Sequence, residues 1–228
     1  MFNKITVSQT TDISIIVQVI ALLASGLGIF YKLPKQHQIL NRLLIMETIV
    51  QSIEFGFYLV LLRDLSKIVD GMAKTRYYDW AITTPTMLLT TIIYFEYKAR
   101  LENNEEPFTF TEFIENNKSN IKFIVISNYL MLCCGYLAEI GKLERKKATI
   151  FGFIFLLLTF GHIYNRYAKR SKVGKIIFSI LFINWSMYGI AFLLNEVPKN
   201  HAINFLDLLA KNFFGIFLFF EARRHSIS

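Results

Sequence analysis

The sequence predicts an all-α protein: a seven-transmembrane-helix up-and-down bundle forming a single domain over residues 1–228. Three observations predict it. The composition is 54% hydrophobic with a mean hydropathy of +0.40, which suits neither a disordered chain nor an ordinary soluble domain. The apolar residues gather in seven segments, each near the ~20 residues that a bilayer crossing needs. The links between segments are mostly short and polar, so consecutive segments run antiparallel.

The first segment, 12–32, follows a polar start with one basic residue, Lys4. It is long enough to stay as a span and shows no cleavable signal pattern. The second, 39–62, is apolar but carries Glu47, Gln51 and Glu54. The third, 75–97, carries Arg76, Asp79 and a row of threonines around Pro85. The fourth, 121–141, follows the one long connection, about 99–120, which is rich in Asn and Glu and reads as a loop. The fifth, 148–168, and the sixth, 173–195, are apolar over most of their length. The seventh, 202–222, holds Asp207 and Lys211 in its middle. There is no convincing internal repeat and no linker.

Several function classes drop out at once. Seven spans leave little chain for a soluble catalytic domain, so the protein is not expected to be an enzyme. The formal charge of +8 reads as basic flanks on membrane helices, not as a nucleic-acid surface, which needs a basic face on a soluble domain. Cys133 and Cys134 are adjacent in an apolar run and say nothing of redox compartment, and no metal site is expected. With seven spans the termini lie on opposite sides. The cluster Arg166, Lys169, Arg170, Lys172, Lys175 and the tail pair Arg223, Arg224 tilt the basic residues toward the C-terminal side. That bias places the N-terminus outside and the C-terminus in the cytoplasm.

The buried charges point to function. A cation at the centre of a membrane helix is costly and is a functional hypothesis by default, which singles out Lys211. A carboxylate partner or conversion of the amine to a Schiff base would relieve it. Asp207 precedes Lys211 by four residues and shares its face. On the third segment Asp79, Thr83 and Thr90 fall on one face, with Arg76 one turn outward of Asp79. Polar groups stacked on one face of a span look into a bundle interior, and Pro85 is expected to free a backbone carbonyl toward it. Glu47 and Glu54 lie two turns apart on one face with Gln51 on the same side. An unpaired carboxyl buried there would hold a proton, not a charge. A buried ion-pair network that only fixes packing is the competing reading, and interfacial snorkelling is a competing account of Glu47.

At these residues the chain resembles the microbial (type I) rhodopsins over all seven segments. The third-segment motif Arg-Tyr-x-Asp-Trp-x-x-Thr-x-Pro stands as Arg76, Tyr77, Asp79, Trp80, Thr83 and Pro85. The seventh-segment motif Asp-x-x-x-Lys with a following Gly stands as Asp207, Lys211 and Gly215. The sixth segment offers Trp185 and Tyr188, the fourth Asn128, Met131 and Gly135, and the first Gly26 and Gly28. The resemblance implies all-trans retinal bound covalently in the centre of the bundle, as a Schiff base on Lys211. It implies Asp79 and Asp207 as counterions, Asp79 as first proton acceptor and Arg76 as an outward gate, with Tyr58 near the counterions and Thr83 along the proton path. It implies a retinal slot lined by Trp80, Thr84, Met87, Met131, Gly135, Trp185, Tyr188 and Phe192. Aromatic walls suit a long flat polyene.

The departures bear on what light would do. Outward proton pumps of the family usually place a carboxylate where this chain has Thr90, which cannot reprotonate the Schiff base. The usual sixth-helix proline and second tryptophan are Gly189 and Phe192, the fourth-helix Asp is Asn128, and Glu196 is the one obvious acid near the outer exit. Aligned on Tyr58, Glu54 falls where channelrhodopsins carry a central-gate glutamate, and Glu47 where they carry another acid. Second-helix acids, short loops and the Asp-Thr-Thr triplet resemble the viral rhodopsin branch of giant algal viruses, which would make the protein virus-encoded and placed in a host cell membrane. A row of carboxyls favours cations. The expectation is a light-gated cation channel whose path includes Glu47, Gln51, Glu54 and Asn204, the last chosen because it sits one turn outward of Asp207. An outward proton pump stays open, with Glu47 as substitute donor, as do a photosensor and a retinal-free transporter. The partners expected are a lipid bilayer and transported cations (protons and monovalent cations), with a homo-oligomer left open.

Overall fold

Seven antiparallel helical spans close into a ring in the computed structural model, which describes residues 4–68 and 72–227. The helices are α1 (Lys4–Gly28), α2 (Ile39–Ile68), α3 (Met72–Glu102), α4 (Phe110–Glu139), α5 (Arg145–Arg166) and α6 (Lys172–Ala191). The seventh span is broken into α7 (Glu196–Asp207), a π turn (Leu208–Asn212) and α8 (Phe213–Arg224). Each span packs on its sequence neighbours, and α1 closes the ring against α7 and α8. α3 also reaches across to α6 and α7.

Helix α1 is inside-out relative to a helix of a soluble bundle. On α1 the apolar Ile13, Ile16, Ile20, Leu23 and Leu27 face outward, while Thr11, Ser14, Gln18, Ala21 and Ser25 are buried. Lipid provides no penalty for exposed Ile and Leu, whereas backbone and polar side chains must find partners inside. Among the described residues, six helices are long and apolar enough to cross a membrane. α3, at 31 residues, is not among them. Its load of Arg76, Asp79, Glu96, Lys98 and Arg100 lowers its apolarity, and the ring around it shelters that load: Tyr94, Phe95 and Thr90 are fully buried.

Two differences from the sequence reading have clear causes. The stretch 99–120 is mostly helix: α3 runs to Glu102 and α4 begins at Phe110. A capping box starts α4, with Thr109 accepting from the Glu112 amide and the Glu112 side chain accepting from the Thr109 amide. The turn between them is made at Asn104, with φ of 55°. Pro85 frees the Ala81 carbonyl, but the hydroxyl of Tyr129 on the exposed flank of α4 takes it at 2.9 Å. The freed group therefore serves the α3–α4 packing and not the bundle interior.

Candidate functional site

Lys211 sits in the π turn, its side chain 2% exposed. π turns are rare and recur at functional positions; this one lies between the two halves of the last span, at the residue that carries the charge. Nζ donates to Asp79 Oδ2 at 2.7 Å. Glu54 Oε1 lies at 3.7 Å and Asp207 Oδ1 at 3.8 Å. Three carboxyls from α2, α3 and α7 thus converge on one amine.

Asp207 is held mainly by other groups. Arg76 Nη1 donates to its Oδ2 at 3.1 Å, Tyr58 donates to the same oxygen at 2.8 Å, and Tyr188 donates to Oδ1 at 2.7 Å. Arg76 also donates to Tyr58 and to Asn204. The two cations Lys211 and Arg76 therefore face three carboxyls, and one proton shared among those carboxyls makes the set neutral. A buried ion cluster needs that balance together with filled hydrogen bonds.

Of the face Asp79, Thr83, Thr90, all three members are buried. The two hydroxyls bond their own helix, Thr83 to the Asp79 carbonyl at 3.0 Å and Thr90 to the Thr86 carbonyl at 2.9 Å. Thr84 likewise bonds the Trp80 carbonyl, and it accepts from Asn128 at 2.8 Å.

The residues named for the slot come together. Trp80, Thr84, Met87, Met131, Gly135, Trp185, Tyr188 and Phe192 line one cavity together with Lys211 and Asp207. Trp80 meets Tyr188 edge to face at 5.6 Å. Gly135 and Gly189 are lining positions where a side chain has no room: a Cβ would collide with the Tyr77 hydroxyl at the first and come within 2.7 Å of the Phe153 ring at the second.

Of the residues named for an ion path, Glu47, Gln51 and Glu54 lie buried along α2 and Asn204 lies buried on α7. Asn212 donates to Glu54 Oε2 at 3.2 Å, and Ser25 donates to Gln51 Oε1 at 2.5 Å. Gln51 lies against Gly215 so closely that any Cβ there would collide with its amide. Thr90 faces Glu47 without bonding either carboxyl oxygen. Outward, Asn204 donates to Thr10 at 3.1 Å and to Thr11 at 3.2 Å. Both oxygens of Glu47, both polar atoms of Gln18 and Nε2 of Gln51 are buried with no hydrogen-bond partner among the described residues. Buried polar atoms are nearly always satisfied by protein or water, so this row suits a hydrated column.

One cluster was not foreseen. Lys199, fully buried, bonds Glu139 at 2.8 Å and Glu196 at 2.7 Å, with Arg145 4.0 Å from Glu196. Glu196 is therefore not the one acid near the outer end. The i,i+3 spacing of Glu196 and Lys199 was a legible signal; Glu139 comes from α4 and carried none.

The sequence profile of the family described as bacteriorhodopsin-like protein matches residues 9–224. Among curated proteins, none matches the chain. The fold is similar to that of the viral rhodopsin OLPVRII, with a TM-score of 0.81 at 24% identity, covering 96% of this chain and 99% of that one. It is similar to the blue light-absorbing proteorhodopsin from Med12, with a TM-score of 0.73 at 18% identity, covering 96% and 97%. It is also similar to the bromide-bound halorhodopsin from Halobacterium salinarum, with a TM-score of 0.71 at 15% identity, covering 98% of each chain. On a profile match that spans nearly the whole chain, the protein belongs to the bacteriorhodopsin-like family of microbial rhodopsins, multi-pass proteins of the membrane.

Proposed function

We propose that the protein is a light-gated cation channel with all-trans retinal attached to Lys211. The family implies a retinal chromophore. The cavity suits one: the Lys211 amine lines a largely apolar space walled by Trp80, Trp185 and Tyr188. Bound there, retinal would supply visible absorption and a light-driven change of shape that displaces the Lys211 nitrogen.

The chain's own residues do the rest. Asp79 Oδ2, at 2.7 Å, is placed to take the proton from Nζ. Asp207 is committed to Arg76, Tyr58 and Tyr188 and serves to hold the second negative charge in place. Once Asp79 is neutral, the attraction that draws α3 to the π turn is lost. The outer constriction at Arg76 and the central one near Glu54, Asn204 and Asp207 then loosen, their contacts Arg76–Asn204 and Asn212–Glu54 giving way.

The observation that carries the channel reading is the column of buried, partly unpartnered polar groups on α2, Glu47, Gln51 and Glu54, continuing at its outer end through Asn204 to Thr10 and Thr11. A channel needs such a continuous wet path and no single proton donor, and Thr90 is no donor. A second reading, an outward proton pump, rests on Glu47 facing Thr90. In either case the N-terminus lies outside and the C-terminus in the cytoplasm.

The test is paired. The expressed protein receives all-trans retinal; a visible band that disappears in Lys211→Ala supports the attachment, and its persistence contradicts it. The light-induced current is then compared with that of Glu47→Gln/Glu54→Gln, which should keep the band and lose most of the cation current. An undiminished current would remove the α2 column from the path.

A further inference from the structure

The polar column does not open freely at the end that carries the C-terminus. Beyond Glu47 and Thr90 stands Tyr94, whose buried hydroxyl has no hydrogen-bond partner. Its ring lies 5.9 Å from that of Tyr97, one turn on. On the far side of Tyr97 is a polar cleft walled by Lys35, Gln36, Arg100, Glu105 and Glu106. Tyr97 lines that cleft while only 2% exposed, so it stands between the two.

Tyr97 is not alone in that layer. Its hydroxyl is hydrogen-bonded to His37 Nδ1 at 2.7 Å. The His37 ring stacks on the ring of His225, with centroids 3.8 Å apart and planes 13° from parallel. The contact joins the α1–α2 connection, α3 and the end of α8. The tail is fastened over it, since the Ile227 amide donates to the Lys32 carbonyl at 2.9 Å.

Face-to-face contact at this distance suits uncharged rings. Two imidazolium rings would set like charges about 4 Å apart, a strong repulsion outside bulk water. The neighbours do not cancel it. From α3, Lys98 adds a further cation, 5.7 Å from the Tyr97 ring. From α8, Glu221 is the one carboxylate in contact; it is paired with Lys98 at 3.0 Å and lies 3.9 Å from His225 Nε2. From the α1–α2 connection, Lys35 is the nearby charge, and Gln36 Nε2 approaches His37 Nε2 at 3.0 Å. One shared carboxylate therefore faces up to four positive charges.

We propose that Tyr97, His37 and His225 form the inner gate of the ion path, a layer that closes when the two neutral rings stack and is held apart by protons from the C-terminal side. The cleft is its vestibule. This assignment rests on the channel reading above.

The experiment is whole-cell voltage clamp of the retinal-loaded full chain, with pipette solutions at pH about 7.5 and about 5.5, the range across which histidine ordinarily takes up its proton. After the light is switched off, the wild-type current should decay about fivefold or more slowly at the acid pH, because repelled rings restack slowly. His225→Phe keeps a ring that can stack and removes its charge; its closing should not respond to pipette pH. The visible band confirms that the variant folds. A reversing wild-type current that closes at the same rate at both pH values overturns the gate and leaves the channel reading standing. So does a pH response retained in His225→Phe. A wild-type current that never reverses overturns the channel reading, and the gate with it.

Discussion

The Nζ of Lys211 lies 2.7 Å from Asp79 Oδ2 and 3.8 Å from Asp207 Oδ1, so the two aspartates are unequal partners of one cation. Among the described residues Asp79 makes its side-chain hydrogen bond to Lys211 alone, and its Oδ1 has no partner. Asp207 is the acceptor of a guanidinium and two phenols. One is built to change its charge and the other to keep it.

Asp79→Asn removes the negative charge nearest the Lys211 nitrogen. That charge favours the dark arrangement with the positive charge held at the nitrogen, so its loss lowers the excitation energy. The visible band is expected to move to longer wavelength, and to move further than in Asp207→Asn. An absorption spectrum of each purified variant checks the order.

Asp207→Ala leaves Arg76 buried without a carboxylate, takes the acceptor from Tyr188, and leaves Tyr58 only the longer bond to Asn204 Oδ1 at 3.3 Å. Breaking one partner out of a buried pair costs about 3–5 kcal/mol. The temperature at which the band bleaches should fall steeply, and fall less in Asp207→Asn, whose amide oxygen still accepts hydrogen bonds.

Gly215→Ala puts a methyl group where the Gln51 amide lies, and the Gln51 side chain must leave its bond to Ser25. Overpacking of this kind costs about 1–3 kcal/mol. The band should stay in place while the photocurrent amplitude changes, which spectra and voltage clamp on the same variant separate.

Lys199→Met leaves Glu139 and Glu196 without their shared cation. Because Glu196 is part-exposed, the expected loss is at the low end of the buried-pair range, about 3 kcal/mol. Thermal bleaching of the visible band should occur at a lower temperature.

Much of this was legible in the chain. Lys211, Asp207 and Asp79 announce themselves because a charge in an apolar run has no other excuse. The wall from Trp80 to Phe192 is what the resemblance to the microbial rhodopsins implies, and the cavity brings those residues together. Other features depend on sideways packing that no single segment encodes. Glu54 reads as a separate station two turns from Glu47, yet the crossing of α2 against the π turn brings it within 3.7 Å of Lys211. The Lys199 cluster draws on α4 and α7, and the His37–His225 stack joins the α1–α2 connection to the end of the chain. The start of α4 was readable from Thr109 and Glu112, but the Asn- and Glu-rich composition around them masks a helix that is polar at its first turns.

The most direct test of the account is the voltage dependence of the light-induced current in cells expressing the retinal-loaded chain, measured with the sodium gradient in both directions. A passive cation path predicts a current that reverses sign, with a reversal voltage that follows the gradient when it is exchanged. A current that keeps one outward direction at every voltage and under both gradients would contradict the channel and identify a proton pump.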